Sequence, residues 1–110
     1  MNKRKLGHMG ELLAKNVLLD EGYDIIEENF TCRLGEVDLI ATRGDELIFT
    51  EVKTRLSDSF GRPAEAVDRK KKLHLINSAN YYIKTNPNLE QMKIRFTVVE
   101  IMVNHMTDVF

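Results

Sequence analysis

The chain has little of several residue types that would settle its chemistry early. Its one cysteine, Cys32, can form no intramolecular disulfide and no cysteine cluster for structural zinc, which fits a reducing, cytoplasmic setting. No apolar run exceeds three residues, so no stretch reads as a transmembrane helix. The basic start Met1-Asn2-Lys3-Arg4-Lys5 resembles the first part of a signal peptide, but the apolar stretch such a peptide needs does not follow. Excess positive charge is also missing. A formal net charge of -1 excludes a globally basic nucleic-acid binder and leaves only a local patch for that role. The three histidines, His8, His74 and His105, are scattered without ligand spacing, and neither a glycine-rich phosphate loop nor a Gly-x-Ser-x-Gly elbow occurs.

What remains is an ordinary globular composition over 110 residues, enough for one domain spanning 1–110. Residues 4–21 read as a helix, with Leu6, Met9, Leu13 and Val17 at three- and four-residue intervals and Gly22 as its terminator. Within that helix Glu11 reads most simply as a surface partner of Lys15, one turn on. Residues 23–30 suggest a strand. Residues 35–41 and 47–53 alternate with period two around a tight turn at Arg43-Gly44-Asp45-Glu46, as a β-hairpin does. Leu56 to Arg62 reads as a loop, and Asp68 as the cap of a second helix running to Lys84. Lys93 to Val103 reads as a long central strand, and residues 104–110 could add a short last one. The order is αβββαβ(β).

The hairpin carries the chemistry. A two-residue turn puts Arg43 opposite Glu46, and the same register puts Asp38 opposite Glu51 and Glu36 opposite Lys53. Two carboxylates about 5 Å apart repel by about 3 kcal/mol at an effective dielectric near 20, a cost that a cation between them would remove. The tripeptide Glu51-Val52-Lys53 is weak evidence by itself, because an acid-x-Lys pattern is expected about once or twice in this composition. Its placement inside an apolar strand, where Glu and Lys are disfavoured, gives it weight. An exposed strand end, with Lys53 neutralising Glu36, would explain the lysine but not Asp38 against Glu51. Oxygen donors without a histidine or cysteine partner favour Mg²⁺ or Mn²⁺ over zinc. Two carboxylates, a lysine and such an ion make a reasonable site for phosphodiester hydrolysis. The second helix opens with Arg69-Lys70-Lys71-Lys72, four cations where the helix dipole prefers anions. They are either a solvated face or the seat of a phosphate backbone.

Three runs of residues together resemble the bacterial YraN family: Gly35-Glu36-Val37-Asp38-Leu39-Ile40, Phe49-Thr50-Glu51-Val52-Lys53-Thr54-Arg55 and Phe60-Gly61-Arg62-Pro63-Ala64-Glu65-Ala66-Val67. Gly7-x-x-Gly10-Glu11 with Ala14, and Arg95-Phe96, extend the resemblance over nearly the whole chain. The resemblance implies a single-domain α/β fold of the restriction-endonuclease, PD-(D/E)xK type, a mixed central sheet flanked by helices, distantly related to archaeal Holliday-junction resolvases. It implies a divalent-metal-dependent nuclease acting on DNA, with Glu11, Asp38, Glu51 and Lys53 as catalytic residues. Asp38, Glu51 and the Val52 carbonyl would be metal ligands, and a homodimer would suit a symmetric junction. The alternative is a nuclease-fold module that binds nucleic acid or a protein partner without cutting. Two departures stand out: Val37 replaces the proline of the superfamily's name, and Thr97 stands where many relatives carry an Asp.

Overall fold

The computed structural model describes residues 2–56 and 69–103. Its first helix, α1 (Lys3–Asp20), starts where the Asn2 side chain accepts a 2.8 Å bond from the Lys5 amide. It ends in a Schellman closure, with the amides of Gly22 and Tyr23 bonded to the carbonyls of Leu19 and Leu18. The helix therefore lies one residue earlier than the sequence suggests. Its packing face also differs from the expected leucine stripe. Gly10, Ala14 and Leu18 are buried, whereas Leu13 and Val17 are 42% and 39% exposed. Small residues win because they let the helix approach the sheet closely: a Cβ on Gly10 would strike the side chain of Thr54.

Strands β1 (Asp24–Cys32), β2 (Gly35–Arg43) and β3 (Glu46–Leu56) follow, then helix α2 (Arg69–Thr85), a 3-10 turn at Pro87–Leu89 and strand β4 (Lys93–Val103). The sheet order is β1-β2-β3-β4, with the first three strands antiparallel and β4 parallel to β3. This is the expected αβββαβ order and mixed sheet. Parallel strands need a long crossover, and the stretch containing α2 supplies it. β4, expected to be central, is instead an edge strand among the described residues. Its Ile94, Phe96, Val98 and Met102 remain 41–56% exposed. They share the α2 side of the sheet, as the Phe96 ring stacked on Phe49 shows, but α2 packs chiefly over β2. The Phe60–Val67 motif, the Asp68 cap, the expected loop beyond Leu56 and the last strand at 104–110 fall outside the described residues.

Two apolar layers sandwich the sheet. Val37, Ile40, Leu47 and Phe49 pack with Leu75, Ala79 and Tyr82 of α2. On the other face Leu39, Ala41 and Ile48 pack with Ala14 and Leu18 of α1 and with Tyr23. None of the described helices is long and apolar enough to cross a membrane.

The turn joining β2 and β3 closes tightly. Gly44 has φ +57° and Asp45 does not share a positive value, as the expected primed turn with glycine in its first central position requires. Around it Glu46 accepts bonds from the Tyr23 hydroxyl and from Arg43, both 3.0 Å, and from Arg95 at 3.2 Å. The Arg43 guanidinium lies 4.2 Å from the Tyr23 ring centroid and donates to the Glu21 carbonyl. These bonds tie the end of α1, the hairpin turn and the start of β4 into one corner.

Candidate active site at the open end of the hairpin

The expected register between β2 and β3 holds from Arg43↔Glu46 through Leu39↔Thr50. There the ladder stops, one pair before Asp38 and Glu51. Beyond it β2 stays with β1 (Val37↔Phe30, Glu36↔Thr31), while β3 follows β4 as far as Leu56↔Val103. The two central strands thus part in a fork. Glu36 and Lys53 fall past the split, on strands that no longer pair there, so the hairpin register does not set them opposite each other.

The fork has a local cause. Along β2 the alternation of faces breaks at Asp38: Val37 lies on the α2 side, and Leu39, two residues on, lies on the α1 side. Beside it on β1, Asn29 has φ +50°, and the Asn29–Asp38 pair is missing from an otherwise continuous stretch of ladder. This reversal turns the Asp38 side chain toward the gap, where its Oδ2 accepts a 2.7 Å bond from the Val52 amide. In a regular continuation that amide would bond to the Val37 carbonyl. A carboxylate has replaced a ladder acceptor, so the strands separate without orphaning a backbone donor.

The gap opens on both faces. On the α2 side a cleft of about 250 Å³ is lined by Glu36, Asp38, Glu51, Lys71 and His74, among others. On the α1 side a second cleft, of about 440 Å³, is lined by Lys3, Glu11, Asp38, Val52, Thr54 and Arg55, among others. Asp38 lines both. Glu51 is half-buried on the α2 side, with its Oε1 4.0 Å from the Lys71 Nζ. Glu11 reaches the fork from α1, on the opposite face. Its expected partner Lys15 instead bonds Glu28 of β1 at 3.0 Å, so the surface-pair reading of Glu11 does not hold.

Electrostatics single out Asp38. Burial raises its carboxyl above the ordinary aspartate value and the Val52 amide opposes this, while Glu11, Glu36 and Glu51 push it further up. The neighbouring charges that raise the Asp38 carboxyl are therefore like charges. Among the described residues no three carboxylate, imidazole or thiolate side chains converge closely enough to hold an ion by themselves. The donors on offer are the carboxylates of Asp38 and Glu51 and the carbonyl of Val52. An all-oxygen, partly hydrated set of this kind suits Mg²⁺ or Mn²⁺, which keep several of their waters.

The remaining expected residues divide. Lys53 is half-buried on β3, two residues past Glu51 and level with Glu100 of β4, but it lines neither cleft. Arg69, Lys70 and Lys72 are exposed at the start of α2, and Lys71 alone of the four lines the α2-side cleft. Thr97 shares a 2.7 Å hydroxyl bond with fully buried Thr50, one residue before Glu51. Several lining residues escaped sequence reasoning. Lys3 was available from the argument applied to α2, since α1 also opens on cations with no acid in its first turn. Glu36 was misassigned because the register was carried past the point where it ends. His74 and Arg55 carried no local signal.

Comparison with known proteins extends over the whole of this geometry. Residues 10–101 match the model of a family described as "Uncharacterised protein family UPF0102". A UPF0102 protein of Clostridioides difficile is 43% identical over 115 residues, covering all of both chains. One from Caldicellulosiruptor bescii is 43% identical over 109 residues, covering 99% of this chain and 92% of that protein. One from Clostridium acetobutylicum is 45% identical over 105 residues, covering 96% and 85%. The matched span takes in Glu11, Asp38, Glu51, Val52, Lys53 and the basic start of α2, and on this footing the chain belongs to the UPF0102, YraN-like family.

Proposed function

We propose that the protein is a divalent-metal-dependent nuclease of the PD-(D/E)xK type that hydrolyses phosphodiester bonds in DNA, in branched or single-stranded form. One observation carries this reading. The sheet opens at Asp38, which lines both clefts, with Glu36 and Glu51 beside it on the α2 side and Glu11 on the α1 side. A fold keeps such a cluster against its own stability where a cation is to be bound.

Asp38, Glu51 and the Val52 carbonyl would hold Mg²⁺ or Mn²⁺, with Glu11 supporting from the α1 side. Bound there, the ion would polarise a phosphoryl oxygen and lower the pKa of an attacking water. The chain's own groups do the rest. The Lys53 ammonium orients the water or offsets the negative charge that builds as the new P–O bond forms and the old one breaks. Arg69, Lys70, Lys71 and Lys72 hold the phosphate backbone by charge, so binding weakens steeply with salt. A reducing, cytoplasmic setting, which the single cysteine Cys32 fits, would suit this activity. A homodimer would rest on the exposed β4 face of Ile94, Phe96, Val98 and Met102, and sedimentation of the Phe96→Glu variant tests it.

A second reading has one observation in its favour. Thr97 supplies a hydroxyl, already engaged with Thr50, at the position where the resemblance to the YraN family leads one to expect a carboxylate. A module that binds nucleic acid or a protein partner without cutting would tolerate that change. Incubation of the purified protein with single-stranded, duplex and four-way DNA in Mg²⁺ or Mn²⁺ separates the two. Cleavage that is lost in Lys53→Ala supports the nuclease. Cleavage unchanged in that variant identifies a contaminant, and salt-sensitive binding indifferent to Asp38→Asn supports the binding module.

A further inference from the structure

Lys71 and Glu51 meet across the α2-side cleft. Their contact spans helix to strand at 4.0 Å, and the Lys71 side chain is 55% exposed while Glu51 is 24% exposed. An ammonium so placed contributes little to stability. Its position is more telling than its strength. Of the four cations that open α2, Lys71 is the one lining the cleft shared by Glu36, Asp38 and Glu51. One turn further along the helix stand His74 and Leu75, and the carboxylate 4.0 Å from Lys71, that of Glu51, lies on β3.

We propose that Lys71 is a stand-in cation. It partly neutralises the carboxylate fork in the metal-free protein, and a divalent ion entering between Asp38 and Glu51 displaces it toward the phosphate backbone of the substrate. The inference rests on the reading of Asp38 and Glu51 as metal ligands. It adds that ion binding and polyanion binding are coupled through one side chain. Without the ion, Lys71 is drawn to Glu51 and the acidic cleft repels phosphate. With the ion in place, the same ammonium is repelled from the cleft and becomes an additional backbone contact. Both ligands therefore strengthen each other, by the same factor in each direction.

Titration with Mn²⁺ alone, followed by calorimetry, tests the competition. Lys71→Gln should bind Mn²⁺ about three- to tenfold tighter than the wild type, because a like charge has been removed from beside the ion. Lys71→Arg, which keeps the charge, and Lys84→Gln, which removes one from the far end of the same helix, should stay near wild type. Equal or weaker Mn²⁺ binding by Lys71→Gln overturns the proposal while leaving the metal site standing. No Mn²⁺ binding by either protein overturns both. A second readout follows the coupling through a labelled single-stranded oligonucleotide, with Ca²⁺ as the ion. Loading should steepen the slope of log affinity against log salt by about 0.7, one phosphate contact, in the wild type. The same steepening in Lys71→Gln would refute the hand-over.

Discussion

The β2–β3 hairpin carries a carboxylate at each end, and the two live in opposite surroundings. At the closed end, Glu46 accepts from Tyr23, Arg43 and Arg95, and these bonds, the Tyr23 hydroxyl foremost, hold its carboxyl below the ordinary value. At the open end, burial and three neighbouring carboxylates hold Asp38 above its own. One end is finished as a structural joint, with each charge met by its opposite. The other gathers like charges around Asp38 at the point where the two strands part, with the Lys71 ammonium 4.0 Å from Glu51. On the proposed reading the same strands serve stability at one end and a ligand at the other, as expected where function is kept at a cost to the fold.

The contrast is sharpest in the response to removing charge. Asp38→Asn should abolish metal-dependent cleavage and Mn²⁺ binding, the largest effect expected of any substitution here, yet raise Tm at neutral pH by a few degrees. The asparagine oxygen can still accept from Val52, while the repulsion from Glu11, Glu36 and Glu51 disappears. The pH dependence has a definite sign. A raised carboxyl holds its proton more firmly in the folded chain, so the stability tied to Asp38 is complete below the ordinary Asp range. It is lost as pH rises through the folded value. The gain in Tm from Asp38→Asn should therefore shrink as the pH is lowered into that range. A variant less stable than wild type at neutral pH would mean that Asp38 is a structural residue like Glu46.

Gly10→Ala tests how the open end is held from the α1 side. The new Cβ would collide with Thr54 and push away the helix that carries Glu11. Overpacking of this kind costs about 1–3 kcal/mol, which outweighs the roughly 1 kcal/mol an alanine gains inside a helix. Thr54→Ala in the same chain should recover part of the loss, and a stable single variant would show that α1 can move away without cost.

At the closed end the sign reverses. Glu46→Gln should lower Tm at neutral pH, because a charged acceptor shared by a tyrosine and two arginines becomes a neutral amide. A lowered carboxyl contributes stability that is present above the ordinary Glu range and lost as pH falls through the folded value. The deficit of the variant should therefore close in acid, and thermal melts across pH 3–7 would display it (a window spanning ordinary carboxylate values). An unchanged Tm would remove the contrast between the two ends.

Much of this was legible in the residues. Element order, the primed turn at Gly44 and the register from Arg43↔Glu46 inward follow from period-two alternation and turn chemistry, because both are local. The pairing of Asp38 with Glu51 was legible as an approach but not as a fork. Its causes, the positive φ at Asn29 and the break in alternation at Asp38, leave no pattern in the sequence. The apolar stripe of α1 was misread for another reason: hydrophobicity favours Leu13 and Val17, whereas close approach favours Gly10 and Ala14, and only the packed helix decides between them. β4 reads as central because it is apolar on both faces, and the fold leaves one of those faces partly bare. Glu11 shows the limit most directly, since a helix sequence offers Lys15 as its partner and the sheet takes that lysine for Glu28.

The smallest effect marks where the open end begins. Thr97 and Thr50 share a hydroxyl bond across β3 and β4 one residue short of Glu51, and Thr50 is fully buried. If the pair belongs to the structural part of the sheet, Thr97→Val should cost about 1 kcal/mol, the worth of one hydrogen bond together with a buried hydroxyl left to find another partner. Mn²⁺ affinity should then be unchanged, because neither hydroxyl carries charge toward the fork. A variant of wild-type stability that loses Mn²⁺ affinity would move the boundary outward. Thr97 would then be the neutral remnant of a third carboxylate position, acting through bound water, and the closed part of the hairpin would end at Phe49.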